Sequence, residues 1–183
     1  MIAAIPFLFA AQQLIEGLQW LVEKPSTASS LCTYGFLTFA FLLWPIYVPV
    51  AVYMNERNAK RRTYLRVFCL AGGVLVLALL GVLLSGPIQA SAYGGSIRYH
   101  LNSTANIGLM IWYVLVILGS FFCSSDKLVR LFGLLTALSV LVSVLFYSWV
   151  FTSVWCFFAA ALSILMYVYL RLTPPRNSRV RHG

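Results

Sequence analysis

Gln12, Glu16 and Gln19 recur at i, i+4 and i+7, a spacing that gathers three polar side chains within about 60° of arc on one helical face, with Glu23 continuing the line. The stretch that carries them, Met1 to Val22, is otherwise mostly apolar. A carboxylate in that setting has two uses. It can bind a cation or relay a proton, with the glutamines as hydrogen-bonding neighbours, or it can be held protonated or hydrogen-bonded and tie its helix to the next. Glu16 lies about six residues, roughly 9 Å, inside the nearer end of its apolar stretch. An ionised carboxylate at such a depth in lipid costs a few kcal/mol even on gentle insertion scales, so it is expected to face a bundle interior, a partner or water. No Lys or Arg sits deep in an apolar stretch to pair with it, which leaves Arg98 and His100, from an intervening loop, as candidate partners.

Weaker polar stripes follow at helical spacing: Asn106, Tyr113 and Ser120; Thr136, Ser139 and Ser143; Ser153, Cys156, Ser163 and Tyr167. They could line a cavity opposite Glu16, or serve as the small residues that let helices approach closely. Trp112 and Trp155 stand deep enough to line a pocket or fill a core. Pro45 and Pro49, one turn apart, remove two amide donors and are expected to kink their helix and release the carbonyls of Phe41 and Pro45, which can take an ion or water. Other chemistry lacks its parts. Cys32, Cys69, Cys123 and Cys156 form no C-x-x-C pair, no G-x-S-x-G, H-E-x-x-H or phosphate loop occurs, and His100 and His182 are the two histidines. No lysine lies inside an apolar stretch to form a retinal Schiff base. No metal and no cofactor is expected.

The elements that must position Glu16 follow from composition. Of 183 residues, 61% are hydrophobic and 9% charged, with mean hydropathy +0.89, too little polar surface for a water-soluble domain. A span needs about 20 mostly apolar residues. Six windows qualify: 1–22, 31–54, 64–84, 105–123, 128–147 and 149–170. Runs such as Leu70 to Leu84 lack the alternation of barrel strands, and backbone in lipid must satisfy itself, so the fold class is all-α, a polytopic transmembrane helical bundle. The bundle takes residues 1–172, and 173–183 form a basic cytoplasmic tail.

The net charge of +9 sits in short runs between apolar stretches and reads as topology rather than nucleic-acid binding. Arg57, Lys60, Arg61, Arg62 and Arg66, with Lys127 and Arg130, and Arg171, Arg176, Arg179 and Arg181, fall on one side; Lys24 and Arg98 fall on the other. The positive-inside rule then places both termini in the cytoplasm. Trp20, Tyr34, Tyr147 and Trp149 cluster where interfacial aromatics belong. On the external side, the segment from Ser85 to Thr104 is the one loop long enough to fold back as a lid; its Asn102-Ser103-Thr104 sequon carries no further expectation.

Two stretches, Ile5-Pro6-Phe7-Leu8-Phe9-Ala10-Ala11-Gln12-Gln13-Leu14-Ile15-Glu16-Gly17 and Thr152-Ser153-Val154-Trp155-Cys156-Phe157-Phe158-Ala159-Ala160, resemble the hallmarks of an uncharacterised family of small bacterial membrane proteins, and Leu43-Trp44-Pro45 extends the likeness. The resemblance implies that Gln12, Gln13, Glu16, Trp155 and Cys156 belong to the family pattern, and that the protein resides in a bacterial inner membrane. It supplies no activity. Family members carry a further cysteine- and serine-containing segment and helix before the Ile-Pro motif, whereas this chain opens at Met1; with that helix there would be seven spans and an external N-terminus.

Three functions remain in play. The leading expectation is binding or passage of a small cation, proton or polar solute at a cavity around Glu16, drawing on Gln12, Gln13, Gln19, Arg98, His100, Tyr113 and Trp155. The second is an accessory subunit packed against a larger membrane complex, or a homo-oligomer. The third is a membrane enzyme acting on lipid or quinone, with Glu16 and His100 as acid and base.

Overall fold

The structure, a computed structural model, describes residues 4–22, 25–101 and 107–172. It is an all-α bundle of six helices with one small hairpin: α1 Ile5–Leu18, α2 Thr27–Asn55, α3 Ala59–Leu84, β1 Gln89–Tyr93, β2 Ser96–His100, α4 Ile107–Phe122, α5 Lys127–Tyr147 and α6 Phe151–Leu172. Three of these, α2, α3 and α5, are long and apolar enough to cross a membrane. The described parts of α1 and α4, 14 and 16 residues, are shorter than a full 30 Å span at 1.5 Å per residue. Asn102, Ser103, Thr104, Asn106, Glu23, Lys24 and the basic tail with His182 lie outside the described residues.

Two helices begin earlier than hydropathy predicts, because polar caps set the boundary rather than the first apolar residue. Ser26 accepts a hydrogen bond from the Ser29 amide (3.1 Å) and starts α2 at Thr27 rather than Leu31. Asn58 Oδ1 accepts from the amides of Lys60 and Arg61 (3.0 and 3.2 Å), so α3 starts at Ala59 and the basic run occupies its first turns. A 3-10 turn, Ser148–Val150, joins α5 to α6.

Each helix packs on its neighbours in sequence, and α1 packs on α6, which closes the bundle into a ring. All six meet in one core that includes Phe9, Trp44, Leu65, Phe121, Phe132 and Trp155. Phe9 stacks on Trp44 at 3.9 Å between centroids. Close approach relies on glycine at three places: Gly72 of α3 leaves no room for a Cβ against the Pro45 carbonyl of α2, a Cβ on Gly119 of α4 would run into the Phe68 ring of α3, and one on Gly133 would lie 2.6 Å from Cβ of Phe121.

The prolines of α2 act through a change of helical register. Residues Thr38–Leu43 form a π-helical stretch, and the amide of Trp44 bonds to the Phe39 carbonyl, five residues back. The next bond in that register would join the Pro45 nitrogen to Ala40, and Pro45 has no N–H. The Ala40 carbonyl is therefore an orphaned acceptor in this register, and the Tyr113 hydroxyl of α4 donates to it at 2.8 Å. The Pro45 carbonyl, freed by Pro49, is covered by Gly72. Both released carbonyls are thus occupied by protein groups. Tyr113→Phe is expected to strip the Ala40 carbonyl of its donor and lower the unfolding free energy by about 1–3 kcal/mol, read as a lower thermal midpoint in detergent; an unchanged midpoint would contradict this account of the register shift.

The segment between α3 and α4 contains the element that hydropathy alone missed. Gln89–Tyr93 and Ser96–His100 pair antiparallel, with Tyr93 opposite Ser96. Gly94 and Gly95 both have positive φ, 54° and 79°, as a two-residue type I′ turn requires. Strand alternation sends Ile97 and Tyr99 inward: Ile97 is buried, and Tyr99 stacks on Phe36 of α2 at 4.9 Å. Tyr34 anchors the approach to the hairpin, donating to the Gly86 carbonyl (3.4 Å) and accepting from the Ile88 amide (3.3 Å).

Candidate functional site

The buried positions of α1 are Ile5, Phe9, Gln12 and Glu16, with Gln19 just beyond its end, so apolar and polar residues share one inward stripe. The three polar members look to different partners. Gln12, fully buried, accepts from Trp44 Nε1 (2.7 Å) and donates to Cys156 Sγ (3.2 Å), which joins α1, α2 and α6. Gln19 donates to Ser29 Oγ (3.1 Å) and Thr33 Oγ1 (3.0 Å) and belongs to the α1–α2 seam. Glu16 faces α6 and the hairpin.

Glu16 is 7% exposed. Gln13 Nε2 donates to its Oε2 at 3.3 Å. The hydroxyls of Ser153 and Tyr99 face the same carboxyl, yet Glu16 Oε1 and Tyr99 Oη are both buried without completing a hydrogen bond. Among the described residues, no Lys or Arg shapes the environment of Glu16. An acid so placed gains little from the protein in its ionised form unless something else supplies positive charge or donors.

A cavity of about 460 Å³ borders it, lined by Gln13, Glu16, Trp20, Ser153, Phe157 and the hairpin turn, among others. A second cavity, about 270 Å³ and largely apolar, lies under the hairpin with Tyr99, Tyr113, Trp155 and Cys156 in its walls. Helix α6 contributes to both, Ser153 to the first and Trp155 and Cys156 to the second. Trp155 is 8% exposed, packs edge-on against Tyr113 at 5.3 Å, and leaves its Nε1 without an acceptor.

The structure brings Gln13 and Glu16 together, and Tyr113 with Trp155. It does not bring Arg98 or His100 to the carboxylate. On β2 they occupy the face opposite Ile97 and Tyr99: the Arg98 guanidinium lies over the Trp149 ring, 5.0 Å from its centroid, and His100 Nε2 is 2.8 Å from Ser91 Oγ. Tyr99 is the hairpin residue that reaches Glu16. Its signal was the Gly94-Gly95 pair flanked by alternating residues, which fixes the hairpin and therefore which side chains point inward. Most hydroxyls of the weaker stripes turn back to their own helices. Ser120 donates to the Val116 carbonyl, Thr136 to Phe132, Ser139 to Thr136 and Ser163 to Ala160, the behaviour of packing residues. Among the described residues, no group of three potential metal ligands occurs, and the four cysteines are free.

A second polar constellation sits at the opposite end of the bundle. Glu56, buried between α2 and α3, accepts from the Asn58 amide (2.8 Å) and from both the amide and hydroxyl of Ser125 (2.6 Å each). Arg61 Nη1 donates to the carbonyls of Cys123 and Ser124 (3.1 and 2.8 Å). Burial pushes the Glu56 carboxyl up, but the hydrogen bonds from the Ser125 hydroxyl and the neighbouring amides outweigh it and hold the group below its ordinary range. This clamp fastens the α2–α3 turn to the α4–α5 turn.

A family model described as a family of unknown function (DUF6629) matches residues 1–181. No curated protein and no solved structure matches the chain.

Proposed function

The chain belongs to that family of unknown function, and from this premise we propose that it is a multi-pass membrane protein whose outer half binds a small cation or polar solute at Glu16. The membrane reading is supported by the apolar helices and by what covers them. Only 28% of the most apolar window of α3 and 33% of that of α5 is buried, and Leu70, Leu77, Leu138 and Leu145 are among the large side chains left outside, a surface suited to acyl chains. Both termini then lie in the cytoplasm, since 11 of the 13 basic residues fall on that side. Glu16 lies toward the other side, beneath the hairpin.

The observation that carries the binding reading is a buried carboxylate with one oxygen unmatched by protein, at the wall of a cavity large enough for a solute. Intramembrane acids without a protein counter-charge are where ion and substrate pathways are found. The pairing of His100 with Ser91 gives an acid–base couple of Glu16 and His100 no support.

Equilibrium binding of labelled sodium, rubidium and methylammonium to detergent-solubilised protein tests the proposal. The wild type is expected to bind at least one of them saturably. Glu16→Gln keeps the shape but not the charge, and is expected to weaken that binding about 100-fold or more while eluting as the same monodisperse species. Equal binding by the variant would sink the proposal.

A further inference from the structure

The walls of the Glu16 cavity differ from those of a metal-ion site. Bare sodium-, potassium- or calcium-like cations are held by about six to eight oxygen ligands. Here the side-chain oxygens come from the Glu16 carboxylate, the Gln13 amide and the hydroxyls of Ser96, Tyr147 and Ser153, and Glu16 alone among them carries charge. Gln13 turns its amide nitrogen, a donor, toward the carboxylate. Four of the lining residues are aromatic, beside Val154 and the glycines Gly17, Gly94 and Gly95. Trp20, Tyr147, Phe157 and Phe158 all border the same space, and the rings of the last two stand 6.1 Å apart. No basic side chain lines the cavity, and Arg98, the cation of the hairpin, lies against Trp149.

A single carboxylate among aromatic side chains is the composition that recognises an organic ammonium. The carboxylate supplies the counter-charge, and the ring faces attract the alkylated, weakly hydrated part of the cation through their quadrupoles. Volume agrees. About 460 Å³ is many times the size of a dehydrated alkali ion and lies within the range of small-molecule sites. The hairpin turn contributes Gly94 and Gly95 to this lining, residues without side chains that could fill it.

We infer that the cavity formed by Glu16, Trp20, Ser153, Phe157 and Phe158 is a binding site for a small organic ammonium compound rather than for an inorganic cation. This rests on the proposed Glu16 site and narrows its ligand.

Calorimetric titration of the full chain in detergent with methylammonium, tetramethylammonium and rubidium chlorides, at matched ionic strength, separates the two claims. At least one ammonium probe is expected to bind about tenfold or more tighter than rubidium. Glu16→Gln should abolish its binding. The double variant Phe157→Leu/Phe158→Leu keeps the walls apolar but removes two ring faces, and is expected to weaken the ammonium about five- to tenfold while leaving rubidium unchanged. Trp20→Leu, outside α6, is a second test of the same kind should the double variant elute as aggregate. Glu16-dependent binding of rubidium as tight as that of either ammonium would overturn the ammonium inference and leave the Glu16 site standing. Ammonium binding insensitive to both aromatic variants would overturn it as well. Absence of any Glu16-dependent binding would remove both.

Discussion

Gly72→Ala is expected to cost about 3 kcal/mol, a fall of roughly 6–12 °C in thermal midpoint, whereas Gly73→Ala one position on should be neutral or raise the midpoint slightly. The contrast isolates packing from helix propensity. Replacing glycine by alanine in a helix interior gains about 0.5–1 kcal/mol wherever space allows, and the Cβ of an alanine at 73 would meet nothing within 4 Å. At 72 it would run into the carbonyl of Pro45, a backbone group that cannot rotate aside. That carbonyl lies where Pro45 and Pro49 have already broken the hydrogen-bond ladder, so α2 could yield there only by disturbing the π stretch and the Tyr113 bond to Ala40. Differential scanning fluorimetry of both variants in one detergent checks the sign of each change. Similar midpoints for the two would mean that α2 and α3 separate at little cost.

Glu56→Ala is expected to destabilise by a similar amount, about 3 kcal/mol, because it removes a buried acceptor shared by three donors and leaves the Ser125 amide without its partner. The pH dependence has a definite sign. A carboxyl whose folded pKa lies below its unfolded value adds stability that is complete above the unfolded pKa and is lost as pH falls through the folded one. The charge-dependent part of the Glu56 contribution is therefore retained at neutral pH and lost below about pH 4. The gap in midpoint between wild type and Glu56→Ala should be widest near pH 7 and narrow as the solution is acidified. A gap that does not narrow would place the effect in packing rather than in charge.

The number and order of helices were legible in the sequence because long apolar runs leave few alternatives; the six windows fall on the six helices. Their ends were less so. Hydropathy sees apolar residues, while α2 and α3 start at polar caps, Ser26 and Asn58, several residues earlier. The break in the α2 hydrogen-bond ladder was readable from Pro45 and Pro49, but not the π stretch before it or the capping of the Ala40 carbonyl by a tyrosine 73 residues away. At the candidate site, the i, i+4, i+7 spacing placed Gln12, Glu16 and Gln19 on one face, and all three are buried. Which neighbour each would meet depends on tertiary arrangement. Gln19 answers to α2, and the hairpin offers Tyr99 where charge complementarity pointed to Arg98. Glu56 was not legible as a site residue because it stands at a helix end rather than inside an apolar stretch.

The ring closure between α1 and α6 has a consequence for biosynthesis. In a membrane, α1 is made before α6, so Ser153 and Cys156, which face Glu16 and Gln12, emerge only after α2 to α5 have been made. Until α6 is made, α1 must keep a carboxylate and an amide without their final companions, a costly state in lipid. A chain terminated before position 151 would remain in that condition permanently, so premature stops late in the reading frame should yield as little accumulated protein as early ones.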